Sequence, residues 1–182
     1  SVLGWSVPDV SFNGPEQKLT ESKYCQVAIF VTSMACLAAF HEKFGDAVKP
    51  VGAAGLSLGE YGALCCADYF SFAAGLRLVA RRAELMDAAC RETHGTMACV
   101  LTKGAAPADV IRKICADCGI DVANYNSPGQ IVISGVEDGI AKASEQIKTL
   151  EGIRKIIPLK VAGAYHSRLM AKAGEQLRDV LD

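Results

Sequence analysis

A short apolar run, Val51-Gly52-Ala53-Ala54, breaks at Gly55-Leu56-Ser57-Leu58-Gly59, and a helix-forming run from Glu60 to Ala67 follows at once. No other stretch constrains the chain as much. Gly-x-Ser-x-Gly between a strand and a helix is the pattern of a nucleophile elbow. It predicts a buried strand over Val51 to Ala54 and a turn that admits only glycine two residues before and two after Ser57. The serine hydroxyl is then exposed at the mouth of a sheet, and the unpaired N–H groups of the next helix point at whatever reacts there. The alternative is coincidence in a chain with 17 glycines.

The chain has 182 residues, of which 51% are hydrophobic and 21% charged. That suits one globular domain with room for a small insertion. The net charge is −1 and no basic block is present, so nothing points to nucleic acid. The apolar stretch from Cys25 to Phe40 is interrupted by Gln26, Thr32 and Ser33. It reads as too short and too polar to span a bilayer, and as a buried helix instead. The eight cysteines lie mostly in helical apolar patterns, where a free thiol behaves as a small hydrophobe in a reducing compartment. Cys115-Ala116-Asp117-Cys118 stands without a second pair or a nearby histidine, which argues against a metal site.

Further along, Pro15 to Leu19 reads as a turn or helix start, and Tyr24 to Phe44 as a helix capped by Gly45. Ser71 is placed to cap a helix from Phe72 to Cys90. Thr96 to Leu101 reads as a strand, Pro107 to Cys118 as a helix, and Ile120 to Asn124 and Gln130 to Ser134 as strands joined by Asn126-Ser127-Pro128-Gly129. An amphipathic helix from Val136 to Leu150 and a strand from Arg154 to Val161 complete a β-α-β-β-α-β order, the ferredoxin-like unit. This gives an expected division into 1–94 with 162–182, and 95–161 inserted between them.

A serine hydroxyl needs a base to take its proton. His41 and His94 lie in polar surroundings and read as solvated; His166 follows a strand and precedes a helical run, where catalytic groups collect in α/β folds. From spacing alone His166 is either that base or an ordinary loop histidine. On a helical wheel Arg82 falls inside the apolar arc of its helix, between Leu78, Leu85 and Met86. A buried arginine needs an anionic partner, because an unpaired buried charge is very costly. It is a permanent salt bridge to Asp or Glu, a snorkelling side chain, or a fork for a substrate carboxylate.

Asn13-Gly14-Pro15-Glu16-Gln17-Lys18-Leu19, Cys25-Gln26, Gly55-Leu56-Ser57-Leu58-Gly59-Glu60-Tyr61, Arg82-Ala83-Glu84-Leu85-Met86, Asn126-Ser127-Pro128-Gly129-Gln130 and Gly163-Ala164-Tyr165-His166-Ser167-Arg168-Leu169-Met170 occur in that order. Together they resemble malonyl-CoA:acyl carrier protein transacylases, the acyltransferase domain of fatty-acid and polyketide synthesis. The resemblance covers nearly the whole chain. It implies an α/β fold, with an α/β-hydrolase-like acyltransferase core and an inserted ferredoxin-like subdomain. Ser57 is then the acylated nucleophile, His166 its base, Arg82 the partner of the malonyl carboxylate and the Leu58 N–H half of the oxyanion hole; Gln26 and Asn126 lie near the pocket.

Four departures accompany the resemblance. Leu56 stands where the family has histidine. The opening Gly-Gln-Gly-x-Gln loop and the closing segment that orients the histidine have no counterpart, so the chain reads as truncated at both ends. Tyr165 stands where the family has Phe or Ser, and is expected either to crowd a branch at the acyl α-carbon or to fill the core.

The implied reaction moves malonyl from malonyl-CoA to the phosphopantetheine thiol of acyl carrier protein through a malonyl-serine, in fatty-acid biosynthesis. It needs no cofactor and no metal. The implied partners are malonyl-CoA and acyl carrier protein, with no nucleic acid and no membrane, for a monomer of the cytoplasm, or of a plastid or mitochondrion in a eukaryote. The alternatives are a serine hydrolase or thioesterase, and a non-catalytic fragment that docks acyl carrier protein.

Overall fold

A computed structural model describes residues 3–181. They fall into two compact units, one within 1–85 with 180–182 and the other 86–179. These bounds differ from the expected 95–161 by assigning 86–94 and 162–179 to the second unit.

The first unit is helical. Ser6 opens α1 (Val7–Asn13), its hydroxyl accepting from the Asp9 N–H at 3.3 Å, with Pro8 in the first turn. A single 3-10 turn over Glu16–Thr20 leads into α2 (Ser22–Phe44), which ends at Gly45 with φ 51°. α3 (Gly59–Cys66) follows, then α4 (Phe72–Glu92), of which residues 86–92 count with the second unit, and Ser71 caps α4 through the Ala74 N–H at 3.3 Å. The core of this unit is Val27, Phe30, Leu76 and Val79, with Trp5, Leu58 and Tyr61 against it.

Two expectations fail here. Val51–Ala54 is not a buried strand: the segment has no regular structure and is exposed throughout. A strand needs a neighbour to take its N–H and C=O groups. Among the described residues the one sheet lies in the second unit. The reading of Cys25 to Phe40 as a buried helix also fails for most of α2. Only Ser22, Gln26, Val27, Ala28 and Phe30 are buried. At 23 residues and a mean hydropathy of 1.5 over its most apolar window, α2 is long and apolar enough to cross a membrane by length and composition. Gln26, Thr32 and Ser33 carry no charge, so they lower that hydropathy too little to exclude it.

The second unit holds β1 (Gly95–Thr102), α5 (Ala108–Asp117), β2 (Asp121–Ser127), β3 (Gln130–Val136), α6 (Glu137–Lys148), β4 (Ile153–Pro158) and α7 (Ala171–Leu181). The four strands form one antiparallel sheet in the order β2-β3-β1-β4. This is the split βαβ topology that the β-α-β-β-α-β order predicts. Alternate residues of β1 and β3 explain the register: Val100 and Ile133 on one face meet Ile111, Cys115, Ile140, Ala143 and Ile147 from the two helices. On the other face Met97, Cys99 and Val132 form a smaller cluster. All eight cysteines are free thiols, with Cys90, Cys99 and Cys115 buried and Cys36 exposed. Burial pushes the Cys115 thiol up to about 12.

Candidate active site

Ser57 takes its position from the glycine before it. A side chain at Gly55 would run into the backbone of Gly59 and Glu60, so residue 55 must be glycine. Gly59 is different, because a Cβ there would meet no heavy atom within 4 Å. The expected need for glycine on both sides is therefore corrected to one side: the two backbones approach closely, but only a Cβ at 55 would point into the gap. Ser57 adopts φ 53°, one of three non-glycine residues with positive φ among those described, with Asp68 and His166. That conformation costs an L-residue about 1–2 kcal/mol. Hydrogen bonds from Gly59 to the Leu56 carbonyl at 3.0 Å and from Glu60 to the Ser57 carbonyl at 3.3 Å close the turn. The Leu58 side chain anchors it against the helical core. No backbone hydrogen bond among the described residues uses the Leu58 N–H.

Arg82 is only 9% exposed, as its place in the apolar arc predicts. Its Nη2 donates to Ser57 Oγ at 2.8 Å, and its Nη1 donates to Gln26 Oε1. The Tyr61 ring lies 5.7 Å from the guanidinium carbon, within range of a cation–π contact. Burial pushes the Tyr61 phenol up, and the positive charge of Arg82 works against that rise.

A direction runs through this network. A guanidinium only donates, so Gln26 must present its amide oxygen to Arg82. The amide nitrogen is left to donate to Ser22 Oγ, which is buried at the start of α2. Ser57 Oγ likewise accepts from Arg82, so its own hydrogen is directed elsewhere. Ser22 and Tyr61 were not singled out by the sequence reading. For Ser22 the signal was i,i+4 spacing, since it stands four residues before Gln26 in α2; Tyr61 meets Arg82 of another helix and had no local signal.

His166, Tyr165 and Asn126 belong to the second unit. His166 is exposed and has φ 58°. The residues just before it are pinned: a Cβ at Gly163 would collide with the Cys90 side chain, and one at Gly95 would lie 2.6 Å from the Cβ of the fully buried Ala164. Just after it, Ser167 Oγ donates to the Ala164 carbonyl at 2.7 Å and accepts from the Leu169 N–H at 3.2 Å. Tyr165 is half-buried against the Met97, Cys99 and Val132 cluster, the setting of the core-filling alternative. Burial pushes the Cys90 thiol up, opposed by a hydrogen bond with Tyr165. Asn126 is exposed on β2 and donates to Gln130 Oε1 at 2.8 Å.

A separate cavity of about 500 Å³ in the first unit is lined by apolar groups of Phe30, Met34, Ala53, Leu58 and Gly62, and neither Ser57 nor Arg82 borders it. Among the described residues no three His, Cys, Asp or Glu side chains converge as a metal ion would require.

Residues 1–182, the whole chain, match the acyl transferase domain family. The chain is 40% identical over 173 residues to the malonyl CoA-acyl carrier protein transacylase of Bacillus subtilis, covering 94% of this chain and 53% of that protein. It is 37% identical over 180 residues to the polyketide biosynthesis malonyl CoA-acyl carrier protein transacylase PksC of the same organism, covering 99% of this chain and 61% of the relative. A crystal structure of malonyl-CoA:acyl carrier protein transacylase from Xanthomonas oryzae superimposes with a TM-score of 0.89 at 35% identity, covering 99% of this chain and 57% of that one. The chain thus spans a little over half the length of such relatives. With the family matched from its first residue to its last, on a serine turn backed by a buried arginine, the chain belongs to the acyl transferase domain family.

Proposed function

We propose that the protein carrying this chain transfers malonyl from malonyl-CoA to the phosphopantetheine thiol of acyl carrier protein through an ester on Ser57. The observation that carries the reading is the 2.8 Å hydrogen bond from buried Arg82 to Ser57 Oγ. In a malonyl thioester the carboxylate is one methylene away from the carbonyl under attack. A receptor for that carboxylate must therefore sit within a few ångströms of the nucleophile. A hydrolase of neutral esters has no use for a guanidinium there.

In this mechanism Ser57 Oγ attacks the thioester carbonyl as His166 takes its proton. The Leu58 N–H donates to the developing oxyanion. The intermediate collapses, the CoA thiolate leaves with the proton from His166, and malonyl-serine remains. The pantetheine thiol then attacks the ester by the same steps in reverse order. Arg82 binds the carboxylate, Gln26 holds Arg82, and Asn126 and Tyr165 line the acyl site, where Tyr165 crowds a branch at the α-carbon. Residues 1–94 and 162–182 are assigned to a hydrolase-like core and 95–161 to the small subdomain. A monomer serving fatty-acid synthesis in the cytoplasm, or in a plastid or mitochondrion, fits this chemistry.

The test is the intact mass of the whole protein after incubation with malonyl-CoA. One malonyl group is expected on the wild type and none on Ser57→Ala. A Ser57→Ala protein that still gains the group would exclude Ser57. A wild type that hydrolyses simple esters, with no preference for a carboxylated acyl group, would favour a hydrolase. One that binds acyl carrier protein without ever forming the ester would favour a docking module.

A further inference from the structure

We infer that Asp121 is a positioning residue for His166, holding the segment that carries it from the far side; this rests on the reading of His166 as the base. The two residues are far apart in sequence, and the link between them is Arg168. One carboxylate takes the whole end of that residue. Asp121 Oδ2 accepts from the Arg168 backbone N–H at 2.8 Å and from Nε at 3.0 Å, while Oδ1 accepts from Nε at 3.1 Å and from Nη2 at 2.7 Å. The bidentate fork fixes the side chain and the backbone bond fixes the main chain, two residues after His166.

Such a grip matters because of what it holds. His166 is in the left-handed region, which is costly for an L-residue, and such a residue persists only where its surroundings over-determine it. On the N-terminal side the contacts of Gly163 with Cys90 and of Ala164 with Gly95 supply that constraint. On the C-terminal side the hydrogen bonds of Ser167 among the described residues stay within the segment, to Ala164, Leu169 and Met170. The Asp121 carboxylate ties Arg168 to the sheet.

Asp121 is a fixed point. It is the first residue of β2, paired with Ser134 of β3. Its neighbour Ile120 is 1% exposed and wedged where a Cβ on either Gly135 or Gly139 would strike it. The Ile120 N–H also donates to the Cys115 carbonyl at 2.9 Å. The Arg168 side chain is 60% exposed, and an ion pair that exposed contributes little to global stability. Its effect is local geometry, which separates a positioning role from a structural one.

The experiment measures kcat and KM for malonyl-CoA, and Tm, in the whole protein. Asp121→Ala is expected to lower kcat about tenfold with KM within twofold of wild type. Asp121→Asn keeps an oxygen for the Arg168 N–H and is expected to retain at least about a third of kcat. A folded Asp121→Ala with kcat within twofold of wild type overturns the inference, as does equal impairment of the Asn and Ala variants. If Asp121→Ala does not fold, Arg168→Leu, which keeps the backbone bond, decides in its place: kcat about threefold down at unchanged KM supports the inference, and unchanged kcat overturns it. His166→Ala is run alongside. If that variant turns over like wild type, His166 is not the base and the underlying reading fails. If it is inactive while the Asp121 variants are normal, only the role of Asp121 fails.

Discussion

Arg82 sits at the centre of a polar network inside an otherwise apolar contact, held by Gln26 on one nitrogen and Ser57 on the other, with Tyr61 beneath. A malonyl carboxylate would exchange the bond to Ser57 for two charged ones. Hydrogen bonds to charged groups contribute about 1.5–3 kcal/mol each. Arg82→Ala should therefore lower kcat/KM for malonyl-CoA by more than tenfold relative to acetyl-CoA, measured side by side. Equal losses with both substrates would make Arg82 structural. Tyr165 poses a second question of the same size. If its exposed edge limits the acyl site, Tyr165→Ser should narrow the preference for malonyl-CoA over methylmalonyl-CoA by roughly 1–3 kcal/mol, the range of a methyl clash. A ratio unmoved by Tyr165→Ser would leave the ring as core filling against Met97, Cys99 and Val132. The burial of Arg82 was legible because a helical wheel needs only nearby residues. Gln26, 56 residues away, was named only through the family resemblance, and Ser22 and Tyr61 went unnoticed as members of the network.

The serine turn is an asymmetric object. Gly55→Ala would force a methyl group into the Gly59 and Glu60 backbone, which cannot yield as a flexible side chain would. It should cost about 1–3 kcal/mol or more, seen as a lower denaturant midpoint, and should abolish acylation. Gly59→Ala, by contrast, places its methyl in open space at the first residue of α3, where alanine is the better helix former by at most about 1 kcal/mol. It should be neutral or stabilising, and equal damage from both substitutions would mean that the turn is not built this way. The pattern alone suggested glycine at both ends, because sequence does not say which Cβ points into a gap. The strands and helices between 95 and 161 were readable to within a few residues, because periodicity, Gly119 and the Pro128-Gly129 turn are local signals. α1 was missed although Ser6, Pro8 and Asp9 spell its start. Val51–Ala54 misled in the other direction, since an apolar run has strand character whether or not a neighbouring strand is there to pair with it.

At the scale of the whole molecule, each compact unit is built from its own core, a small helical one around Phe30 and Val79 and a larger one between a four-stranded sheet and two helices. Contacts of long sequence separation, such as Asp121 with Arg168 across 47 residues, are what no local pattern carries. Each unit also holds one proposed catalytic residue in a left-handed backbone, Ser57 in one and His166 in the other. Catalysis is then in direct competition with durability, because the residue best suited to each of these two positions is the one with no chemistry to offer. Glycine at 166 should make a more heat-resistant protein than alanine at 166 by about 1 kcal/mol, or a few degrees in Tm, although both lack the imidazole. Equal melting temperatures would mean that the histidine position carries no such burden. A drift of this chain under selection for stability alone would be expected to replace both proposed catalytic residues, along with Asp68, which shares their backbone conformation.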